Sequence, residues 1–115
     1  MSNAAVIDAF HLMWGNFPEP VCLIHKNREI LAVNEASRQM GRLPGTKCNE
    51  FGTPEQHRGC LANQALATQK STYRKAKAGD KDIYAYWLTV PEHPDIYIHF
   101  GVGITVDYDQ PLEGC

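Results

Sequence analysis

Apolar positions recur along this chain in two periods, and the switch between them marks out its elements. Over residues 5–14, AVIDAFHLMW, Val6, Ile7, Phe10, Met13 and Trp14 fall at spacings of three and four, which gathers them into one stripe on a helix. Asn3 stands where it can cap that helix. Gly15 and Asn16 end it, and the two prolines of FPEP then push the chain into extended geometry. VCLIH (21–25) and ILAV (30–33) flank a polar tetrad, Lys26 to Glu29, in the outline of a β-hairpin, with Asn27 the residue best suited to positive φ. Asn34 caps a short helix, EASRQM, which Gly41 closes.

From 42 to 56 the composition is that of a loop. A second longer helix is predicted over 56–70, where Leu61, Ala62, Ala65, Leu66 and Gln69 repeat at helical spacing behind the Thr53-Pro54-Glu55 start signal. Three strands follow: 72–78, 83–90 and 96–106, joined by turns at 79–82 and 91–94. The last alternates best, with Ile96, Ile98, Phe100, Val102, Ile104 and Val106 on one face. Strand runs interrupted by one helical block predict an α+β fold: a mainly antiparallel sheet covered by helices on one face. The other face also needs a cover, which the first helix can supply from this chain or from a partner. Gly101 and Gly103 mark a close approach on that side, by the first helix or a second protomer.

Composition narrows the reading. A chain of 115 residues is about one domain, large enough to hold a core. Eleven basic against thirteen acidic residues give no field that would concentrate nucleic acid or an anionic membrane. No apolar run reaches the length of a membrane span and no secretion signal opens the chain, so a cytoplasmic protein is expected. The four cysteines, Cys22, Cys48, Cys60 and Cys115, lack the density of a disulfide scaffold and are read as free thiols. Met1 to Ala4 is similar to a cloning remnant and is set aside.

In this order of elements the chain resembles a PAS domain. FPEPVCLIHKNREILAVNEASRQMG is similar to that family's opening hairpin and asparagine-led helix, and FGVGITVDYD to its last strand and exit. Two departures stand out. Many members have Asp and Gly in the first hairpin turn, where this chain has His25 and Arg28. The Asp that follows the last strand is shifted to Asp107. The resemblance implies five antiparallel strands in the order 2-1-5-4-3 with helices on one face, an N-terminal amphipathic helix, and a pocket between sheet and helices. It divides the chain into an N-terminal helix at 5–16, a PAS domain at 17–108, and a connector starting at 109–115 toward an output domain outside this segment. It further implies a bacterial-type sensory or regulatory module rather than an enzyme, a homodimer, and a small-molecule ligand.

The expected pocket residues are Cys22, Val33, Phe51, Cys60, Leu61, Trp87 and Phe100, and the helix expected to cap the sheet or dimerise uses Val6, Phe10, Met13 and Trp14. The alternative is a heme- or metal-binding sensor using His57 with Cys48 and Cys60. A heme needs only one imidazole in an apolar pocket. A tetrahedral zinc site needs four ligands, and this stretch offers three, so no metal site is assigned. Flavin is disfavoured, because 83–90 and 96–106 contain no Asn or Gln to bond its ring edge. The five histidines are scattered, and no nucleophile-base pair can be placed by spacing.

Overall fold

The computed structural model describes residues 3–48 and 60–108. Its elements are α1 (Ala4–Trp14), β1 (Val21–His25), β2 (Ile30–Val33), α2 (Glu35–Gln39), α3 (Ala62–Thr68), β3 (Thr72–Ala78), β4 (Lys81–Val90) and β5 (His93–Val102). The strands form one sheet in the order β2-β1-β5-β4-β3, every neighbour antiparallel, as expected from the resemblance. No helix among the described residues is long and apolar enough to cross a membrane.

Alternation along the strands creates two buried faces. Cys22, Ile24, Ile30, Val33, Trp87 and Tyr97 point to an inner face, where Ala62 and Ala65 of α3 pack on them. Val21, Leu23, Ala32 and Ile96 point to the outer face, which α1 covers with Phe10. The cover for the second face therefore comes from this chain itself. β2 serves both faces because the β1–β2 register slips between Leu23 and Ile24, so that Ala32 stands opposite Leu23 and Ile30 opposite Ile24.

Several boundaries differ from the sequence reading. Asn3 does not cap α1 through its side chain, because its backbone is already helical (φ −82°, ψ −2°). In the first hairpin turn Arg28, not Asn27, takes positive φ (77°), while the Asn27 side chain accepts the Glu29 N–H at 2.8 Å. The predicted helix over 56–70 is helical at Ala62–Thr68 and ends where Gln69 turns left-handed (φ 53°); its predicted start lies outside the described residues.

β5 stops at Val102, so Ile104 and Val106 do not extend its apolar face. Gly103 turns the chain with φ 98°, at a point where a Cβ would lie 2.7 Å from the Asp82 carbonyl oxygen. At Gly101 the approaching group is the Ile104 side chain, whose Cδ1 an added Cβ would overlap. The two glycines accommodate β4 and the chain's own exit rather than α1 or a second protomer.

Two buried polar side chains tie the ends of the sheet together. Asn34 caps α2 by accepting the Ser37 N–H at 3.0 Å, and the same oxygen accepts the Val21 N–H at 2.9 Å. Its amide donates to the carbonyls of Phe17 at 3.0 Å and Glu19 at 2.7 Å, so all of these bonds are made by a side chain only 1 % exposed. Glu19, fully buried in the linker before β1, accepts the N–H groups of Gly103, Ile104 (2.6 Å) and Thr105 (2.7 Å) and the Tyr108 hydroxyl (2.8 Å).

Candidate functional site

The register lays one row of side chains across all five strands of the inner face. Val33 pairs with Cys22, Cys22 with His99, His99 with Trp87, and Trp87 with Thr72. Directly opposed residues of an antiparallel pair share a face. Within that row the Trp87 and His99 rings stack at 4.8 Å, only 14° from parallel. The Cys22 thiol meets the Ser37 hydroxyl at 3.1 Å, His99 Nδ1 lies 3.0 Å from the Tyr86 carbonyl, and the Thr72 hydroxyl donates to the Leu61 carbonyl at 3.2 Å. In the next row Ile30, Ile24 and Tyr97 are aligned, and the Tyr97 hydroxyl lies 3.8 Å from the Cys48 sulfur.

Arg28 closes this side of the face. Its carbonyl accepts the Cys48 N–H at 2.9 Å, its guanidinium donates to the Lys26 carbonyl at 3.0 Å and to Asn63 Oδ1 at 2.6 Å, and it lies 5.7 Å from the Tyr97 ring centre. One residue in a left-handed turn thus joins the first hairpin, the Cys48 segment and α3. A non-glycine residue in that conformation costs on the order of 1–2 kcal/mol, and these contacts hold it there.

Burial sets the chemistry of the ionisable groups. It pushes the Cys22 thiol up, with Ser37 and Arg42 only partly opposing it. It also pushes Cys48 up, against the weaker pull of the Tyr97 hydroxyl and the Arg28 charge. The Tyr97 phenol is raised beyond any physiological titration, again mainly by burial. Cys22 and Cys48 are therefore protonated near neutrality and make poor nucleophiles.

Of the expected pocket set, Cys22, Val33 and Trp87 are buried on the inner face, and Leu61 packs against them half-buried. Phe100 is on the opposite face, which corrects the expectation. It pairs with Tyr86, not with Trp87, and its ring lies 5.2 Å from Trp14 and 5.8 Å from Phe17. Cys60 is exposed, just ahead of α3. Phe51 and His57 lie outside the described residues. Among the described residues no three His, Cys, Asp or Glu side chains converge to hold a metal ion.

Tyr97, His99, Ala62 and Ala65 belong to the inner face but were not among the expected residues. The signal for the first two lay in β5 itself: once Ile96, Ile98 and Phe100 face the helix-covered outer side, Tyr97 and His99 must face the other way. On α1, Phe10 is buried and Val6 and Trp14 half-buried, whereas Met13 is 75 % exposed beside Leu12 at 85 %. Met13 stands at the rim of an apolar groove of about 160 Å³ between α1 and the outer face, which Val6, Phe10 and Trp14 also line and Leu23 and Ile98 floor.

No family model matches the chain, and no curated protein matches it either. Solved structures do. A domain of an HTR-like protein from Haloarcula marismortui aligns with TM-score 0.61 at 20 % identity, covering 76 % of this chain and 99 % of that one. A sensory box sensor histidine kinase from Vibrio cholerae aligns with TM-score 0.64 at 13 % identity, covering 91 % and 97 %. The PAS domain from Bordetella pertussis BvgS aligns with TM-score 0.49 at 12 % identity, covering 89 % and 84 %. The strand order 2-1-5-4-3, the helical layer on its inner face and the likenesses to the first two structures identify the fold of the chain as that of a PAS domain.

Proposed function

We propose that this chain is the sensory module of a signal-transduction protein. It binds a small molecule between the inner sheet face and the helices over it, pairs with a second copy through α1, and passes the state of the pocket to an output domain beyond β5. It is a sensor in the cytoplasm, and any catalysis belongs to that output domain. The observation that carries the reading is the inner-face row Cys22, His99 and Trp87, in which thiol, imidazole and indole lie side by side across three strands of the buried face. The likeness to a sensor histidine kinase supports the signalling context.

Its mechanism is a population shift, in which a ligand that favours one arrangement of sheet and flanking helices biases the exit segment. The Glu19 contacts supply a route, since one carboxylate holds both the linker from α1 and the backbone leaving β5. The exposed Leu12 and Met13 supply apolar surface for the second copy. This reading takes precedence over a heme or metal centre because the two cysteines that centre would use stand in different settings, Cys48 half-buried against Tyr97 and Cys60 exposed.

Native mass spectrometry of protein purified without added cofactor tests the proposal. A dimer carrying a small organic mass is the expected result. A bare monomer at every concentration, with no compound extracted from the denatured protein, refutes it.

A further inference from the structure

Trp87 is 4 % exposed at the middle of the inner face, and its indole N–H has no hydrogen-bond partner among the described residues. The polar groups around it are engaged: Cys22 with Ser37, His99 with Tyr86, Thr72 with Leu61, and Tyr97 with Cys48. The other buried polar side-chain atom without a hydrogen bond among the described residues, Oδ1 of Asp82, at least faces the Lys77 ammonium at 3.4 Å. Trp87 Nε1 stands apart from all of these. Indole N–H groups normally find an acceptor when buried, and withholding a donor from water without one is destabilising. A phenylalanine would fill much of the same space without that penalty.

We propose that the Trp87 indole N–H is the anchoring donor for the ligand of the inner-face pocket, and that the ligand is a flat, uncharged, mostly apolar molecule presenting one carbonyl oxygen or aromatic ring nitrogen to it. The inference rests on the sensory-pocket reading above. Lack of charge follows from the lining: among the described residues the inner cluster contains no ionised side chain, and of the two cations at its margin Arg28 is already bonded to Lys26 and Asn63 while Arg42 lies against the Cys22 thiol. A charged ligand would be desolvated there without a counter-charge. Flatness follows from the alanines. Ala62 and Ala65 are the buried residues of α3 and let that helix pack closely on the sheet, so a molecule held between this helix and the stacked Trp87 and His99 rings has to be thin.

Acetophenone and α-methylstyrene are flat probes of the same shape that differ in C=O against C=CH2. The chain has two tryptophans, so 15N-labelled protein shows two indole signals, and Trp87→Phe identifies which belongs to Trp87. Acetophenone should move the Trp87 indole signal downfield in the wild type, and α-methylstyrene should not. The ratio of the two affinities should fall by about tenfold in Trp87→Phe, the size of one hydrogen bond. Probes that bind while the indole signal stays in place and the ratio is unchanged by the substitution overturn the inference and leave the pocket standing. Binding of neither probe, to a protein that also purifies without ligand, refutes the pocket and the inference together. Trp14→Phe gives the same assignment from the outer face, and the indole shift is read on the wild-type protein, so this test holds even if Trp87→Phe folds poorly.

Discussion

The carboxylate of Glu19, ahead of the first strand, accepts the backbone N–H of Thr105, past the end of the last strand, at 2.7 Å. The Thr105 hydroxyl returns the contact to the Pro18 carbonyl at 2.9 Å. With the N–H groups of Gly103 and Ile104 on the same carboxylate, the backbone leaving β5 is folded around one buried charge. Glu19→Gln keeps the shape but sets an amide N–H2 among donors, so the protein should lose about 2–4 kcal/mol of unfolding free energy. Urea unfolding measures the loss. Amide hydrogen exchange should speed up first over 103–108; equal protection there in both proteins would contradict this role.

The same carboxylate should govern acid stability. Burial alone would raise its pKa, but the N–H groups of Thr105, Gly103 and Ile104 and the Tyr108 hydroxyl outweigh that and hold it below the usual carboxylate range. A carboxylate with a lowered folded-state pKa contributes stability that is complete above its unfolded value, about 4.3, and is lost as pH falls through the folded one. Urea midpoints of the wild type should therefore fall more steeply below about pH 4.3 than those of Glu19→Gln. Parallel profiles would remove Glu19 as the cause.

Asn34 joins α2, β1 and the linker through both ends of one amide. Asn34→Ala leaves the Val21 and Ser37 N–H groups and the Phe17 and Glu19 carbonyls without this partner. A loss of about 2–4 kcal/mol is expected, combining a helix cap with buried groups left unpaired. Asn34→Asp should not restore stability, because a carboxylate keeps the acceptor but faces two carbonyl oxygens. Thermal unfolding of the two variants checks both statements.

Gly101 and Gly103 should respond differently to alanine. At Gly103 the new Cβ meets the backbone carbonyl of Asp82 and the residue must keep φ 98°, so the expected cost is about 1–3 kcal/mol. At Gly101 the obstacle is the far end of the Ile104 side chain, which can change rotamer, and the cost should be smaller. Denaturant midpoints that rank the two variants in the opposite order would show that the exit can move away from β4 more easily than Ile104 can repack.

The site was less legible in the sequence than the fold was. Val33, Cys22 and Trp87 could be placed on one side by strand alternation, but Phe100 was assigned to the same side although its even-numbered neighbours pointed elsewhere. What decides its face is that Phe100 opposes Tyr86 while His99 opposes Trp87, a cross-strand relation that no single strand encodes. Met13 fits the helical stripe by spacing, yet the sheet beneath α1 is met by Phe10, Val6 and Trp14, leaving Met13 at the rim. Arg28 could not be foreseen as the left-handed residue, because the preference of Asn27 for that conformation is only a local one.

By itself the sequence determined which segments are helix or strand, their order, and the presence of two apolar faces, because these follow from side-chain periods of two and 3.6 and from the turn residues between them. Tertiary structure alone decided which face each residue of β5 serves, that α1 of the same chain covers the outer face, and that β5 ends at Val102. Each of these rests on partners far apart in the chain, such as Glu19 and Thr105, 86 positions apart. Local periodicity does not carry that information; cross-strand register and buried hydrogen bonds do.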